Sequence, residues 1–297
     1  MKPTTKAHLA LLGTNVFFAI NLSAIKFIVN EGFAKPFAIN IIRVGLTTVL
    51  LWILFIFKPV KSLINKKDLG RFSLCALTGV AVNQLLFVKG LSLTFSIHAA
   101  LLMLTTPILI VMIAAWILKE RLNKFKISGL VLGITGAVIL VTSKENFGEG
   151  SKAYLGDLLI ISNAIAYTFY FILVKPLMKS YDPILIIRVI FTIGFFMMLP
   201  FCWQEFNEVS WNTFTPLAWT NLGLVVITGT FLAYLFNVYG IKILGASIAG
   251  SYIYSQPIFA AAIAISFLGE SLTATKLAAA ACIFLGLYLS NKTLKNA

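Results

Sequence analysis

Acidic side chains are scarce in this chain. It carries ten Asp and Glu against 24 Lys and Arg, and none of the ten falls in the middle of an apolar run. A mid-membrane carboxylate relay of the kind many pumps use is thereby unsupported, as is a carboxylate dyad for acid–base catalysis. Cysteine is nearly absent too: Cys75, Cys202 and Cys282 lie in or beside apolar segments without metal-ligand spacing, which predicts free thiols. The two histidines, His8 and His98, stand at segment edges and read as interfacial residues. HExxH, a P-loop Lys, a GxSxG elbow and a CxxC pair are all missing, so no enzyme activity, no metal and no cofactor is expected. Long polar stretches are missing as well, which leaves no room for a soluble or ATPase domain.

What remains is apolar. Hydrophobic residues make up 59% of the chain and charged residues 11%. The mean hydropathy is +0.94. Such values belong in a bilayer. Apolar segments of about 20 residues recur from end to end, each long enough as a helix to cross about 30 Å of hydrocarbon. We place spans near 7–29, 37–57, 69–91, 96–118, 125–143, 155–175, 183–201, 217–241, 246–268 and 275–291. Pro36, Pro183 and Pro216 fall at helix starts, and Pro59 and Pro176 are expected to follow helix ends. The basic residues 1–6 precede a run too long for a signal-peptide core, and are read as leading into the first helix.

The net charge of +14 raises nucleic acid as a partner, but no basic, aromatic-interleaved soluble face is present to bind it. The cations sit in short loops instead. With the N-terminus inside, 16 Lys and Arg fall in cytoplasmic segments and only Lys35, Lys144, Lys152 and Lys276 fall outside. Both termini are therefore expected in the cytoplasm.

The second half of the chain repeats the first at an offset of 150 residues. Thr78, Gly79 and Gly90 fall on Thr228, Gly229 and Gly240; Pro107 and Glu120 fall on Pro257 and Glu270; Gly136 falls on Gly286. The expected fold is an all-α membrane protein of ten transmembrane helices, two five-helix repeats over residues 1–146 and 147–297, joined by a Gly-, Glu- and Lys-rich linker at 143–153. An odd number of helices per repeat inserts the halves upside down relative to each other, the layout of many transporters.

Polar residues deep in a span need an internal partner, a water-filled cavity or a substrate. Asn163, Tyr167 and Tyr170 share one helix face, and Thr230, Tyr234 and Asn237 another. Tyr252, Ser255 and Gln256 stand beside Pro257, and Thr105 and Thr106 beside Pro107. Packing across helices and lining a pocket both account for such stripes. The prolines free the carbonyls of Met103 and Ile253, so both are expected to mark breaks or hinges. Arg43, about 10 Å inside the second helix, is the candidate for a substrate carboxylate or phosphate. Arg188 is placed to snorkel, Lys26 and Lys89 to anchor at the interface, and Glu120 and Glu270 to fix turns.

Phe18-Ala19-Ile20-Asn21-Leu22-Ser23-Ala24-Ile25-Lys26, Pro36 followed by Arg43, and the paired runs Pro107 to Leu122 and Pro257 to Leu272 together resemble the EamA family of the drug/metabolite transporter superfamily, over nearly the whole chain. The chain departs from the family pattern at Phe18-Ala19, Lys119 and Ser271. The resemblance implies a central cavity between the halves, lined by helices one to four and six to nine, with helices five and ten peripheral. It also implies export or exchange of small metabolites, amino acids or drugs. The expected function is a multi-pass secondary transporter of the cytoplasmic membrane, an exporter or exchanger working by alternating access on a small polar metabolite, an amino acid or related zwitterion or anion, with drugs as further candidates. A membrane enzyme or flippase for a lipid-linked substrate and a non-transporting sensor or channel stand as the rival readings. The expected substrate site is Asn21, Arg43, Asn83, Gln84, Thr105, Asn163, Tyr167, Tyr234, Asn237, Tyr252 and Gln256.

Overall fold

A computed structural model describes residues 2–57, 64–118, 124–142, 152–244 and 252–290. Pro59, Glu120 and linker residues 143–151 lie outside them. Among the described residues almost all are helical and none is in a strand, because hydrocarbon leaves a backbone no partner but itself. The helices are α1 (Pro3–Asn30), α2 (Pro36–Phe57), α3 (Lys66–Leu93), α4 (Ser96–Met103, resumed as Thr105–Leu118), α5 (Lys124–Val141), α6 (Ala153–Ser180), α7 (Pro183–Asn207), α8 (Pro216–Leu244), α9 (Ile253–Leu268) and α10 (Ala274–Ser290). Among the described residues seven are long and apolar enough to cross a membrane, and α4, α9 and α10 contribute shorter apolar segments.

Pro3, Pro36, Pro183 and Pro216 sit where a missing amide costs least, in the first turn of α1, α2, α7 and α8, while Pro200 lies inside α7. Pro176 departs from expectation. It lies inside α6, where the ring forfeits the bond to the Ile172 carbonyl and the helix still runs on to Ser180.

Equivalent helices of the two halves pack against each other in antiparallel pairs. Along α2 and α7, Phe37 meets Glu205, Gly45 meets Phe195 and Trp52 meets Thr192, so these second helices of each half are antiparallel. The fifth helices pair likewise: a Cβ on Gly136 would meet Ala279 and Ile283, and one on Gly286 would meet Gly129 and Gly133. Gly79 and Gly90 of α3 abut Tyr170 and Gly156 of α6, and their repeat mates Gly229 and Gly240 of α8 abut Asn21 and Leu11 of α1. Small residues thus hold helix backbones close in a medium that supplies no hydrophobic drive between them.

Two helix irregularities fall at matching places. α4 is interrupted at Leu104, and α9 opens as a 3-10 turn over Ile253–Ser255 before its α-helical run from Gln256. At each break a hydroxyl satisfies a carbonyl three residues back, Thr105 Oγ1 to Leu102 O at 2.6 Å and Ser255 Oγ to Tyr252 O at 2.7 Å. α3 and α8 each also carry a π-helical stretch, Leu77–Ala81 and Leu224–Leu232, around the duplicated Thr-Gly pair. Such stretches are rare and recur at functional sites.

Candidate functional site

The polar residues of α1, α2, α3, α6 and α8 converge between the halves. Asn163 Nδ2 donates to Asn83 O at 2.8 Å and Asn83 Nδ2 returns a bond to Asn163 O at 3.4 Å, tying α3 to α6. Gln84 Nε2 lies 3.3 Å from Asn83 Oδ1 and 3.4 Å from the Tyr234 hydroxyl, while Gln84 O accepts from Asn40 Nδ2 at 3.0 Å. The Tyr167 and Tyr170 rings lie tilted against each other 5.4 Å apart, and Tyr234 is edged by Phe18 and Phe191 at 6.3 and 5.1 Å.

Arg43 stands at this cluster, 2% exposed. Its Nε donates to Thr230 Oγ1 at 3.2 Å, its guanidinium lies 5.9 Å from the Phe87 ring centre, and its Nη1 is buried without a partner. Among the described residues no carboxylate forms an ion pair with it. Around it, Asn21 Oδ1, Asn40 Oδ1 and Gln84 Oε1 are buried acceptors without a partner. Buried polar atoms are almost always bonded, so unfilled donors and acceptors gathered in one cluster make it the candidate functional site.

Other expected residues go elsewhere. Thr105 holds the α4 break and borders an apolar cleft of about 240 Å³ between α4, α5 and α6, away from the cluster. The Tyr252 hydroxyl bonds His8 Nδ1 at 2.8 Å, at the end where α1 begins. Gln256 is buried beside Pro257, and Asn237 is half-buried one turn along from Tyr234. Arg188 packs under Trp52 and Phe55, 4.8 and 3.7 Å from their centres, rather than reaching for water. Such cation–π contact partly replaces the hydration it gives up.

Three features escaped the sequence reading. Glu270 does more than fix a turn: its carboxylate accepts from Ser96 N at 2.6 Å and Ile97 N at 3.0 Å. It thereby caps α4 from the other half. Gly269 makes this reach possible with a left-handed φ of 66°, a conformation that glycine adopts without steric cost. His98 is not interfacial but fully buried, its Nδ1 3.1 Å from Asp157 Oδ2, with Asp157 also bonded to Thr94. Lys26 donates to Thr94 O at 2.6 Å in the same region.

Side-chain contacts also join the helices near both ends of the bundle. At the end opposite the start of α1, Lys35 bonds Glu208, and Glu205 accepts from Phe37 N at 2.6 Å. The Glu208 bond raises Lys35 above its ordinary value, and the Lys35 bond lowers Glu208. The pair therefore holds at neutral pH, and is lost as pH falls through the depressed Glu208 value or rises through the elevated Lys35 value. At the other end, Tyr181 donates to Asp68 Oδ2 at 2.7 Å and accepts from Asn65 N at 3.1 Å. The Asp68 bond raises the Tyr181 phenol above its ordinary value.

Two native thiols report on these contacts. Cys75, one turn from the Phe72 that packs on Tyr181, and Cys202, on the far part of α7, are both unpaired and buried. In a Cys282→Ala background, Tyr181→Phe removes both bonds of the hydroxyl and is expected to speed maleimide labelling of Cys75 about 5- to 100-fold, the worth of two net hydrogen bonds, without speeding that of Cys202. Equal acceleration of both thiols would show general loosening instead.

A duplicated bundle of apolar helices, with a buried polar cluster between its halves, defines a multi-pass membrane protein of the transporter type. The chain belongs to the EamA-like transporter family, which matches residues 5–142 and 154–292. It is 24% identical over 249 residues to the uncharacterized transporter YetK of Bacillus subtilis (strain 168), covering 82% of this chain and 74% of that one. It is also 24% identical over 288 residues to an uncharacterized transporter of Archaeoglobus fulgidus, covering 96% and 98%. A shorter match, 27% over 115 residues and 39% of this chain, is to a probable terminal-alkyne amino-acid exporter of Streptantibioticus cattleyicolor, 37% of which it covers. A solved protein structure superposes with a TM-score of 0.64 at 18% identity, over 95% of this chain and 96% of that one, which establishes the fold alone.

Proposed function

We propose that this chain is a secondary transporter of the cytoplasmic membrane that exports or exchanges a small polar metabolite with an anionic group, an amino acid or related zwitterion, by alternating access. Its ten helices cross the membrane as repeats 1–146 and 147–297, with both termini inside. The observation that carries this reading is the unpaired Nη1 of Arg43, buried in the same polar cluster as unpaired amide oxygens. Burying an ion without a counter-charge costs several kcal/mol, so a ligand that brings a carboxylate is strongly favoured there. The open amide acceptors suit an ammonium group on the same ligand, and the tyrosines and phenylalanines supply apolar walls. The contacts at opposite ends support alternating access, since opening one set while the other holds exposes the cluster to one side at a time. The relative named as an amino-acid exporter agrees in substrate class.

Counterflow in proteoliposomes tests the reading. Vesicles preloaded with individual amino acids are expected to accumulate the labelled compound transiently and saturably. Flux that does not saturate would indicate a channel, and no movement of any amino acid would overturn the proposal.

A further inference from the structure

Regular helical threonines in this protein bond the carbonyl four residues back: Thr48 Oγ1 to Val44 O and Thr192 Oγ1 to Arg188 O, both at 2.8 Å. Thr230 does not. It lies in the π-helical stretch of α8, and its Oγ1 reaches the Val225 carbonyl, five residues back, at 2.7 Å. A hydroxyl has one proton to give, so with that proton committed it can only accept from a second partner. That partner is Arg43 Nε, 3.2 Å away. Both side chains are nearly inaccessible, at 1% and 2% exposure. The adjacent Gly229 lets α8 approach α1 so closely that a Cβ would stand 2.5 Å from Asn21.

Fastening a guanidinium at Nε leaves its terminal edge unclaimed, and Nη1 is the atom found without a partner. A guanidinium binds a carboxylate best through two parallel N–H bonds, so fixing the plane of the fork matters as much as its charge. The first repeat offers an internal comparison. At the 150-residue offset Thr230 matches Val80 and Arg43 matches Ile193, so the hydroxyl and the guanidinium are present together in one register and absent together in the other. From these placements we infer that Thr230 is a positioning residue for Arg43, and that the π-helical stretch of α8 serves to hold its hydroxyl in line with Nε. The inference rests on the proposed role of Arg43 as the carboxylate-binding group. It adds that selectivity for a carboxylate over a neutral analogue is set by the half of the molecule that does not carry the arginine.

Nitrogen-15 NMR of arginine-labelled protein in nanodiscs can test this, because the chain has only Arg43, Arg71, Arg121 and Arg188. The Arg43 Nε–H signal is assigned by its loss in Arg43→Lys. In the wild type it is expected to exchange slowly with solvent. Thr230→Val should shift it and speed its exchange, leaving the other three signals in place, and Thr230→Ser should restore it. With L-leucine and L-glutamate as carboxylate probes, Thr230→Val should weaken the response about 10-fold or more, and Thr230→Ser should keep it within about 2-fold. L-leucinamide, which lacks the carboxylate, should be insensitive to either change. An Arg43 signal indifferent to Thr230→Val would overturn the inference. A signal that responds to Thr230→Val but to neither amino acid would uphold the positioning role and sink the amino-acid reading of the site, so the two failures are separable.

Discussion

Replacing Arg43 with leucine is expected to abolish transport while leaving the protein as stable as before, or more so. The usual expectation for a buried polar residue is the reverse. Truncating one partner of a buried pair strands the other and destabilises by about 3–5 kcal/mol. Arg43 has no acidic partner to strand among the described residues; its losses are one bond to Thr230 and a contact with Phe87. Against these stands relief from keeping a guanidinium buried at 2% exposure. In a low-dielectric interior that penalty is several kcal/mol. In the loaded state the balance inverts, because the substrate carboxylate would then be the stranded charge. A loss of about 3–5 kcal/mol there corresponds to a fall of about 100-fold or more in kcat/KM. Counterflow rates and the midpoint of thermal unfolding in detergent, measured on one preparation, check both halves of the claim. Unchanged transport, or a large drop in melting temperature, would each refute it.

The second large effect concerns the fold. Gly286→Leu is expected to prevent stable assembly of α5 with α10. A Cβ at Gly286 would stand 2.6 Å from both the Gly129 carbonyl oxygen and the Gly133 amide nitrogen. These are backbone atoms, which cannot rotate aside as a side chain can. The helices must separate, and overpacking of this kind costs about 1–3 kcal/mol or more. Each half contributes one helix to this pair, so separation loosens the junction between repeats. Gly223→Leu is the matched control, since a Cβ there meets nothing within 4 Å. Membrane-inserted yield and melting temperature should fall for the first and hold for the second; similar values for both would remove the close-packing account.

Much of this was legible in one dimension. The duplication is readable because Gly and Pro at a fixed offset carry backbone geometry that apolar residues do not. Its matched prolines, Pro107 and Pro257, lie just after the helix irregularities at Leu104 and Ile253–Ser255. Helical spacing places Asn163 with Tyr167, and Thr230 with Tyr234, on one face each before any partner is known, whereas the consecutive Asn83 and Gln84 carry no such signal. Thr105 shows where the spacing argument runs out. A hydroxyl beside a helix break can be consumed by its own backbone, and nothing in the residue type says whether it will be. The π-helical stretches leave no distinctive trace beyond a Thr-Gly pair. His98 and Asp157 stand 59 positions apart, in helix starts that only the tertiary fold unites. Arg43 was legible as a deep cation, but its fastening to Thr230 spans 187 positions and depends on an irregular turn.

The cap that Glu270 places on α4 also has a timetable. Ser96 and Ile97 are synthesised more than 170 residues before the carboxylate that receives their amides. At about 5–20 residues per second, those amides wait on the order of 10 to 35 s at the edge of the bilayer with water as their stopgap. The first half therefore inserts long before it can finish folding, and a ribosome stalled ahead of Glu270 would leave a bundle whose fourth helix has no fixed beginning.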